Sequence, residues 1–287
     1  MLERILQLFV SGLLQGSLYA IMACGLSLIF GVAGVPDFSY GILVILGAYI
    51  AYWIFTVFAI NAYLAIVVAT VLMAFVALVL HKLYFRKLET SVQLNQLIVT
   101  FAVALVLENL IIYTWTADFR AIYLPISSYE MFGAMVPTTR LMVLLASATT
   151  AVAAYVFLKA TYLGKAIRAV SQDKEAATLM GINSSSIFML TYVVGIGIAG
   201  EGGGLLATIM PFSPGYYTLF LIKSFCIVVL GGAGSIIGTY IGGIMLGLAE
   251  SLSNLLLPPV WMEGVSLFVF LIVLVLRPSG LFRGKLI

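Results

Sequence analysis

Long apolar stretches separated by short polar ones are the dominant pattern along this 287-residue chain. A bilayer span needs about 20 mostly apolar residues, and the period-2 polar alternation of a membrane barrel is absent. The pattern therefore predicts an all-α, polytopic transmembrane helical bundle that forms a single domain over residues 1–287. No charged residue interrupts the runs Ile5 to Pro36, Phe38 to Leu80, Leu141 to Leu158 and Gly202 to Ile222.

Nine spans are predicted, and eight is the alternative if two segments form a re-entrant pair at a Gly-rich turn. They lie near residues 5–31, 38–60, 62–80, 97–115, 141–158, 187–209, 217–230, 236–256 and 262–276. The positive-inside tendency places basic clusters on the cytoplasmic side of the cell (inner) membrane. The clusters are Lys82, Arg86 and Lys87, then Lys159, Lys165, Arg168 and Lys174, then Arg277, Arg283 and Lys285. Nine crossings then predict an outside N-terminus and a cytoplasmic C-terminus, with loop 116–140 on the outer face.

A Gly-rich segment occurs twice, 200 residues apart. GVAGVPDFSYGILVILGA (31–48) and GGAGSIIGTYIGGIMLGL (231–248) are identical at six of eighteen positions. Gly-rich breaks between apolar halves are typical of discontinuous helices or tight turns, which transporters often place along the substrate path. The alternative is that Gly-rich membrane helices align by chance. The candidate helix-break residues are Gly31, Gly34, Gly231, Gly232 and Gly234.

The composition excludes a soluble domain and offers no reactive or metal-binding motif. Hydrophobic residues make up 63% of the chain, charged residues 9%, and the mean hydropathy is +1.19. The two cysteines lie in apolar runs, and no Walker A motif is present, so the chain is not expected to be an enzyme, hydrolyse ATP or bind a metal. The GxGxxG sequence at 195–200 lacks a preceding strand and is interpreted as close helix packing. The same interpretation applies to Gly12/Gly16, Gly238/Gly242 and Gly243/Gly247.

Four acidic residues lie within or beside the predicted spans, where a carboxylate is costly to bury and therefore a functional candidate. Glu201 and Glu250 lie near a run end or a Gly-rich break, which favours a water-filled end or a partner interface. Asp37 lies in the first Gly-rich turn, and Glu108 precedes Asn109 inside an apolar helix. The predicted path-lining residues are Asp37, Ser39, Tyr40, Glu108 and Asn109.

The segment RAVSQDKEAATLMGINSSS (168–186) concentrates charge between two apolar runs. It predicts a short helix that Ser171 caps, that Asp173 and Glu175 stabilise at its N-terminal end, and that Gly181 ends. Such a helix is too short to cross a bilayer, and its small apolar face must be covered by the chain's own cytoplasmic ends or by a partner. A plain amphipathic connector is the alternative. The apolar face consists of Ala176, Ala177, Leu179 and Met180.

Glu175-Ala176-Ala177 followed by Gly181 resembles the EAA…G loop through which permease subunits of ABC importers dock a coupling helix into their ATPases. More closely, the chain resembles the LivH/LivM-type permeases of branched-chain amino acid importers. Tyr40 and Asp37 stand where that family commonly has histidine and asparagine. The similar segments, in the same order, are GSLYAIMACGLSLIFGVAGVPDFSYG…LGAY (16–49), GKAIRAVSQDKEAATLMGIN (164–183), LGGAGSIIG (230–238) and RPSGLF (277–282).

The resemblance implies a permease that works by alternating access with a second, homologous permease, two cytoplasmic ATPases and an extracytoplasmic solute-binding protein in the lipid bilayer. ATP and Mg would bind only the ATPases, with no cofactor in this chain and no nucleic acid partner. The coupling loop spans about 160–186, and its expected coupling residues are Lys165, Arg168, Gln172, Asp173, Glu175, Ala176, Ala177 and Gly181. The alternatives are a stand-alone, proton-coupled secondary transporter or channel, or a permease of the same family for urea, amides or aromatic carboxylates.

Overall fold

The computed structural model describes residues 2–34, 36–88, 91–125, 127–131, 134–255, 258, 261–276 and 280. Helices account for most of this part of the chain. They are α1 (Leu2–Ala33), α2 (Tyr40–Phe58), α3 (Ala62–Leu80), α4 (Arg86–Leu88), α5 (Gln93–Trp115), α6 (Thr138–Ala160), α7 (Tyr162–Gln172), α8 (Lys174–Leu179), α9 (Ser184–Ile209), α10 (Tyr217–Gly231), α11 (Ile236–Ser253) and α12 (Met262–Leu276). A π turn, His81–Phe85, joins α3 to α4, and a 3-10 turn, Pro214–Tyr216, leads into α10.

The predicted spans match helices of the structure. Within the described ranges, eight helical segments are long and apolar enough to cross a membrane, and α12 contains a shorter ninth, Gly264–Val275. The loop predicted for the outer face contains an antiparallel hairpin that was not predicted, formed by β1 (Ser128–Met131) and β2 (Ala134–Pro137). The third basic cluster, Arg277, Arg283 and Lys285, lies outside the described residues.

The helices run back and forth between two ends of the bundle. At one end, called here the α8 end, a small cavity is lined together by the end of α1, by α4, by the start of α5 and by Phe188 near the start of α9. At the other end, the hairpin end, Gln7 in the first turns of α1 hydrogen-bonds the backbone of Met135 in β2. There Arg120, just after α5, also pairs with Phe212, just after α9. Residues at the two ends are therefore separated by the length of a spanning helix.

Glycines allow the central helices to approach one another at backbone distance. A Cβ placed on Gly16 of α1 would lie 2.7 Å from the Cα of Ile244 in α11, and one on Gly12 would lie 2.9 Å from the carbonyl oxygen of Gly247. In α9, a Cβ on Gly200 would lie 2.7 Å from the Met73 side chain. The packing interpretation of these glycine motifs is thus confirmed for α1 against α11 and for the GxGxxG sequence of α9.

The two Gly-rich segments are both helix breaks. Gly34 follows α1 with φ of 69°, and Gly234 has φ of 88° in the turn between α10 and α11, where Gly232 also has φ of 86°. These values lie in the left-handed region that other residues rarely adopt. Gly31 and Gly231 lie in the last turns of α1 and α10. Both turns are at the α8 end, since the Gly234 N–H donates to the Ser27 hydroxyl near the end of α1.

Candidate functional site

A buried aspartate is the centre of a polar cluster at the α8 end. Asp37 lies in the turn between α1 and α2, and its Oδ1 accepts hydrogen bonds from the Ser39 backbone N–H at 2.8 Å and from the Ser39 hydroxyl at 2.6 Å. The Ser39 oxygen lies 3.3 Å from the Tyr84 hydroxyl, which is 2.8 Å from the Tyr192 hydroxyl. The first helix break, the π turn and α9 are thus joined by one chain of polar groups, which we call the Asp37 cluster.

The free side of Asp37 faces a small cavity. Its Oδ2 is buried and has no hydrogen-bond partner among the described residues. The cavity is about 30 Å³, enough for a water molecule, and its polar lining includes Gln96 and Thr100 of α5. Burial raises the pKa of the Asp37 carboxyl above its ordinary value, and the two hydrogen bonds from Ser39 offset part of that effect.

The sequence did not single out the two tyrosines of this cluster. Tyr84 lies in the π turn, and π-helical turns inside α-helices are frequent at functional sites. Tyr192 is an isolated tyrosine in the apolar α9. Only the packing of α9 against the end of α3 brings their hydroxyls together, so no spacing along the chain indicates the pair.

The other three predicted path residues lie outside this cluster. Tyr40 is fully buried, and its hydroxyl donates to the Met22 carbonyl oxygen of α1 at 2.6 Å, which holds the start of α2 against α1. On α5, Glu108 is partly buried and Asn109 is exposed, and the Asn109 side chain donates back to the Leu105 carbonyl at 2.8 Å. The structure therefore brings together Asp37 and Ser39 but not Tyr40, Glu108 and Asn109, and a place on the path stays a prediction for all five.

Glu250 occupies a position that differs from the one expected. It is 1% exposed within the bundle, and its Oε1 lies 3.0 Å from the Nζ of Lys223 in α10. The same Nζ donates to the Tyr19 hydroxyl of α1 at 2.9 Å, and the Ser266 hydroxyl of α12 donates to the Glu250 Oε1. The expectation of a water-filled end or partner interface was wrong for Glu250, because a lysine that the sequence did not single out pairs with it.

Glu201 faces a groove between α3 and α6. Its two carboxylate oxygens accept a hydrogen bond from the Thr150 hydroxyl, at 2.7 Å and 2.9 Å. The groove has a volume of about 320 Å³ and is otherwise mostly apolar, with Tyr63, Ile66 and Leu205 among its lining residues. The expected position at a water-filled end or a partner interface stays a prediction for Glu201.

The predicted coupling segment folds into two short helices rather than one. Asp173 separates α7 from α8, and its Oδ1 accepts a hydrogen bond from the Ala176 N–H at 2.9 Å. Ser171 instead lies in the last turn of α7, where its hydroxyl donates to the Arg168 carbonyl at 2.8 Å. The N-cap is therefore Asp173 and the prediction of Ser171 was wrong, because α7 continues through Gln172.

The end of α8 is fixed by a Schellman motif. The Ile182 N–H donates to the Ala177 carbonyl at 3.1 Å, and the Gly181 N–H donates to the Thr178 carbonyl at 3.0 Å. Gly181 has φ of 86°, as this motif requires. The Thr178 hydroxyl is also 2.7 Å from the Ser184 hydroxyl at the first residue of α9. The predicted helix end at Gly181 is confirmed, and α8 is joined directly to α9.

The apolar face of α8 is divided between the bundle and the solvent. Ala177 is buried against the protein, whereas Leu179 is 88% and Met180 83% exposed. Arg168 is partly buried in α7, and the exposed members of the predicted coupling set are Lys165, Gln172, Asp173, Glu175, Ala176 and Gly181. Two large apolar side chains thus project from a rigidly capped helix beside a group of exposed charges. The predicted apolar face is present, and three of its four residues, Ala176, Leu179 and Met180, are exposed.

These features define a membrane permease: apolar helices long enough to cross a bilayer, Gly-broken helix pairs, polar groups inside the bundle, and a short capped helix with exposed apolar side chains at one end. Among the described residues, no three His, Cys, Asp or Glu side chains are grouped as metal ligands would be. Residues 8–275 match the family described as branched-chain amino acid transport system / permease component, and the chain belongs to that family. It is therefore a permease subunit of the ABC-importer type.

Known relatives cover nearly the whole chain. The permease BraD of Pseudomonas aeruginosa is 30% identical over 96% of this chain and 95% of its own length. LivH of Salmonella typhimurium is 28% identical over 96% and 94%, and a probable LivH of Methanocaldococcus jannaschii is 27% identical over 94% and 90%. Both BraD and LivH are described as high-affinity branched-chain amino acid transport system permease proteins. The resemblance seen in the sequence motifs is thereby confirmed.

A solved structure shares the fold. PsaBC from Streptococcus pneumoniae, solved in complex with Fab, superposes with a TM-score of 0.52 over 94% of this chain and 91% of its own, at 14% identity. At that identity the likeness shows the fold alone. It agrees with a multi-pass helical fold.

Proposed function

We propose that this chain imports branched-chain or related small amino acids, as one of a pair of homologous permeases served by two cytoplasmic ATPases and an extracytoplasmic solute-binding protein. The substrate class is supported by the descriptions of the relatives that match over nearly the full chain. The α8 end and the C-terminus face the cytoplasm in this proposal, and the hairpin end faces outward, as the basic clusters beside α4 and α7 favour. ATP and Mg bind only the partner ATPases.

The observation that carries the proposal is the exposed tip of α8. Leu179 and Met180 project from a helix whose two ends are fixed by the Asp173 cap and the Gly181 turn. Burying a leucine side chain contributes about 1.5–3 kcal/mol. A pair of such side chains on a preorganised helix suits insertion into a groove of a partner protein, the usual mode for a short amphipathic helix.

In the proposed mechanism, the contacts of α8 transmit ATPase closure into the bundle. The Thr178–Ser184 contact moves the start of α9, and α9 carries Tyr192, whose hydroxyl meets that of Tyr84. Tyr84 in turn contacts Ser39 beside Asp37 at the first helix break. Motion of α9 therefore rearranges the Asp37 cluster, which acts as the gate at the cytoplasmic end, and the Gly-broken turns permit the change.

The test is uptake of labelled leucine by liposomes that contain the permease pair, the ATPases and the binding protein. Leu179→Ser is expected to weaken ATPase binding by about ten- to one-hundredfold, since each 1.4 kcal/mol is a factor of ten. Glu175→Arg reverses the charge at the start of α8 and is expected to reduce uptake as well. Leu83→Ser is the matched control, because Leu83 is also exposed at the α8 end but lies outside α8.

The outcome separates the proposal from its alternatives. ATP-dependent uptake that is lost in Leu179→Ser and retained in Leu83→Ser supports the coupling role of α8. Uptake that does not require ATP but depends on a proton gradient supports a secondary transporter that uses the buried Asp37. ATP-dependent uptake of urea, an amide or an aromatic carboxylate, but not of leucine, keeps the importer and changes its substrate.

A further inference from the structure

A cationic cavity lies at the hairpin end, remote from the Asp37 cluster. It has a volume of about 440 Å³ and is open on one side. Its wall combines one arginine with aromatic and other apolar side chains, namely Phe119, Arg120, Tyr123, Met210, Pro211 and Tyr216. The sequence placed Arg120 in the outer loop but gave it no role.

The backbone around the arginine is fixed to the bundle. The Arg120 N–H donates to the Phe212 carbonyl at 3.0 Å, and the Phe212 N–H donates to the Arg120 carbonyl at 2.9 Å. Two residues later, the Ile122 N–H donates to the Ala207 carbonyl of α9 at 2.8 Å. Ile122 and Phe212 are both buried. The side chain of Arg120 therefore projects from a segment that these three backbone hydrogen bonds hold against the end of α9.

Aromatic rings orient the guanidinium. Its Cζ lies 5.8 Å from the ring centre of Tyr52 and 6.0 Å from that of Trp53, both in α2, which are cation–π distances. The Arg120 Nε and the Trp53 Nε1 are buried and have no hydrogen-bond partner among the described residues. Buried donors are normally satisfied. The Arg120 Nε at this cavity thus lacks the acceptor that such a group requires, and so does the indole N–H of Trp53, whose ring contacts the guanidinium.

The nearest acid does not supply that acceptor. Asp118 Oδ2 lies 3.9 Å from the Arg120 Nη2, beyond hydrogen-bond distance, and its side chain is 74% exposed. The same oxygen already accepts a hydrogen bond from the Thr116 hydroxyl at 2.6 Å. An ion pair with so exposed a partner contributes little. The guanidinium keeps most of its capacity to bind an anion.

We propose that this cavity is a recognition site for the carboxylate of the transported amino acid, bound by the guanidinium of Arg120, with the rings of Phe119 and Tyr216 against its apolar side chain. A guanidinium presents paired donors that match a carboxylate. Phe119 and Tyr216 contact each other edge to face, with ring centres 5.6 Å apart, and form an apolar wall. The ligand class rests on the proposed function, and the site lies at the end where the solute arrives in that proposal.

Fluorescence of Trp53 tests the site directly. The full-length chain carrying Trp115→Phe and Trp261→Phe keeps Trp53 as its single tryptophan, since the chain has three. Purified protein in detergent is titrated with leucine and with leucinamide, which has the same side chain but no carboxylate. Leucine is expected to change the emission in a saturable way, with an apparent Kd at least tenfold lower than that of leucinamide. If leucine and leucinamide give equal responses, the proposal is overturned. This outcome needs no substitution of Arg120.

Variants of the arginine complete the test. Arg120→Gln is expected to raise the apparent Kd for leucine at least tenfold, and Arg120→Lys, which keeps the charge but not the paired donors, by an intermediate factor. Arg140→Gln is the matched control, because Arg140 lies in the first turn of α6 and outside this cavity. Unchanged leucine binding in Arg120→Gln contradicts the proposal.

Two further measurements separate this inference from the proposed function and from a docking role. Arg120→Gln is tested for uptake, for capture of the binding protein and for the fluorescence response to leucine. If uptake is lost and capture is weaker while the fluorescence response is unchanged, the arginine acts in docking, and the proposed solute site is overturned. Wild-type liposomes that show no ATP-dependent leucine uptake contradict the proposed function. The leucine-against-leucinamide comparison on the permease alone still decides whether the cavity binds carboxylates.

Discussion

The ion pair between Lys223 and Glu250 allows a quantitative test of the packing of α10 and α11. The two charged atoms are 3.0 Å apart, and the Lys223 and Glu250 side chains are only 15% and 1% exposed. Removal of one partner from a buried pair costs about 3–5 kcal/mol, because the other charge stays buried without compensation. Lys223→Met and Glu250→Leu are each expected to lower the free energy of unfolding by that amount.

The double variant distinguishes the pair from its separate members. Replacement of both charges by apolar side chains of similar size is often neutral or stabilising. We therefore expect the double variant Lys223→Met/Glu250→Leu to lie within about 1 kcal/mol of the wild type, which implies a coupling energy of several kcal/mol. The Tyr19 and Ser266 hydroxyls then lose one partner each, which is the main remaining cost.

Equilibrium unfolding by dodecyl sulfate in mixed micelles, followed by far-UV circular dichroism, measures all four proteins. Lys159→Met is the control, because Lys159 is exposed in the last turn of α6 and its replacement is expected to change stability by less than about 0.5 kcal/mol. A double variant as destabilised as the sum of the two single variants would refute the reasoning. It would mean that the two charges act independently.

Three further predictions concern single positions. Gly16→Ala places a Cβ 2.7 Å from the Ile244 Cα and is expected to lower the free energy of unfolding by about 1–3 kcal/mol in the same micelle assay. Because burial raises the pKa of Asp37, the folded state holds the Asp37 proton more tightly than the unfolded state does. The free energy of unfolding of the wild type should therefore fall as the pH rises from about 4 through the raised pKa. Asp37→Asn should flatten that slope when unfolding is measured at a series of pH values. Gly181→Ala, at φ of 86°, should cost about 1–2 kcal/mol locally and speed hydrogen exchange across α8.

The spans were predictable because each depends on local composition. A run of about 20 apolar residues has few alternatives to a helix in a bilayer, so α1, α2 and α9 lie close to the predicted ranges. The helix breaks followed from glycine, since Gly34 and Gly234 adopt conformations that other residues avoid. The end of α8 at Gly181 was predictable for the same reason.

What the sequence did not indicate depends on contacts between distant segments. Lys223 and Glu250 meet only because α10 and α11 pack side by side after the turn at Gly232, and no spacing along the chain encodes that register. The Tyr84–Tyr192 contact depends in the same way on α9 packing against the end of α3. The helix start at Asp173 was missed for a local reason, since both Ser171 and Asp173 are good caps and only the length of α7 decides between them.

During synthesis, the glycine surface of α1 enters the membrane long before α11, the helix that packs against it. α1 precedes α11 by more than two hundred residues, and the atoms nearest to a Cβ placed on Gly12 or Gly16 all belong to α11. That glycine surface therefore lacks its α11 neighbours until α11 has been inserted. A chain truncated before α11 would expose the same surface, which gives membrane quality control a feature by which to recognise an unfinished permease.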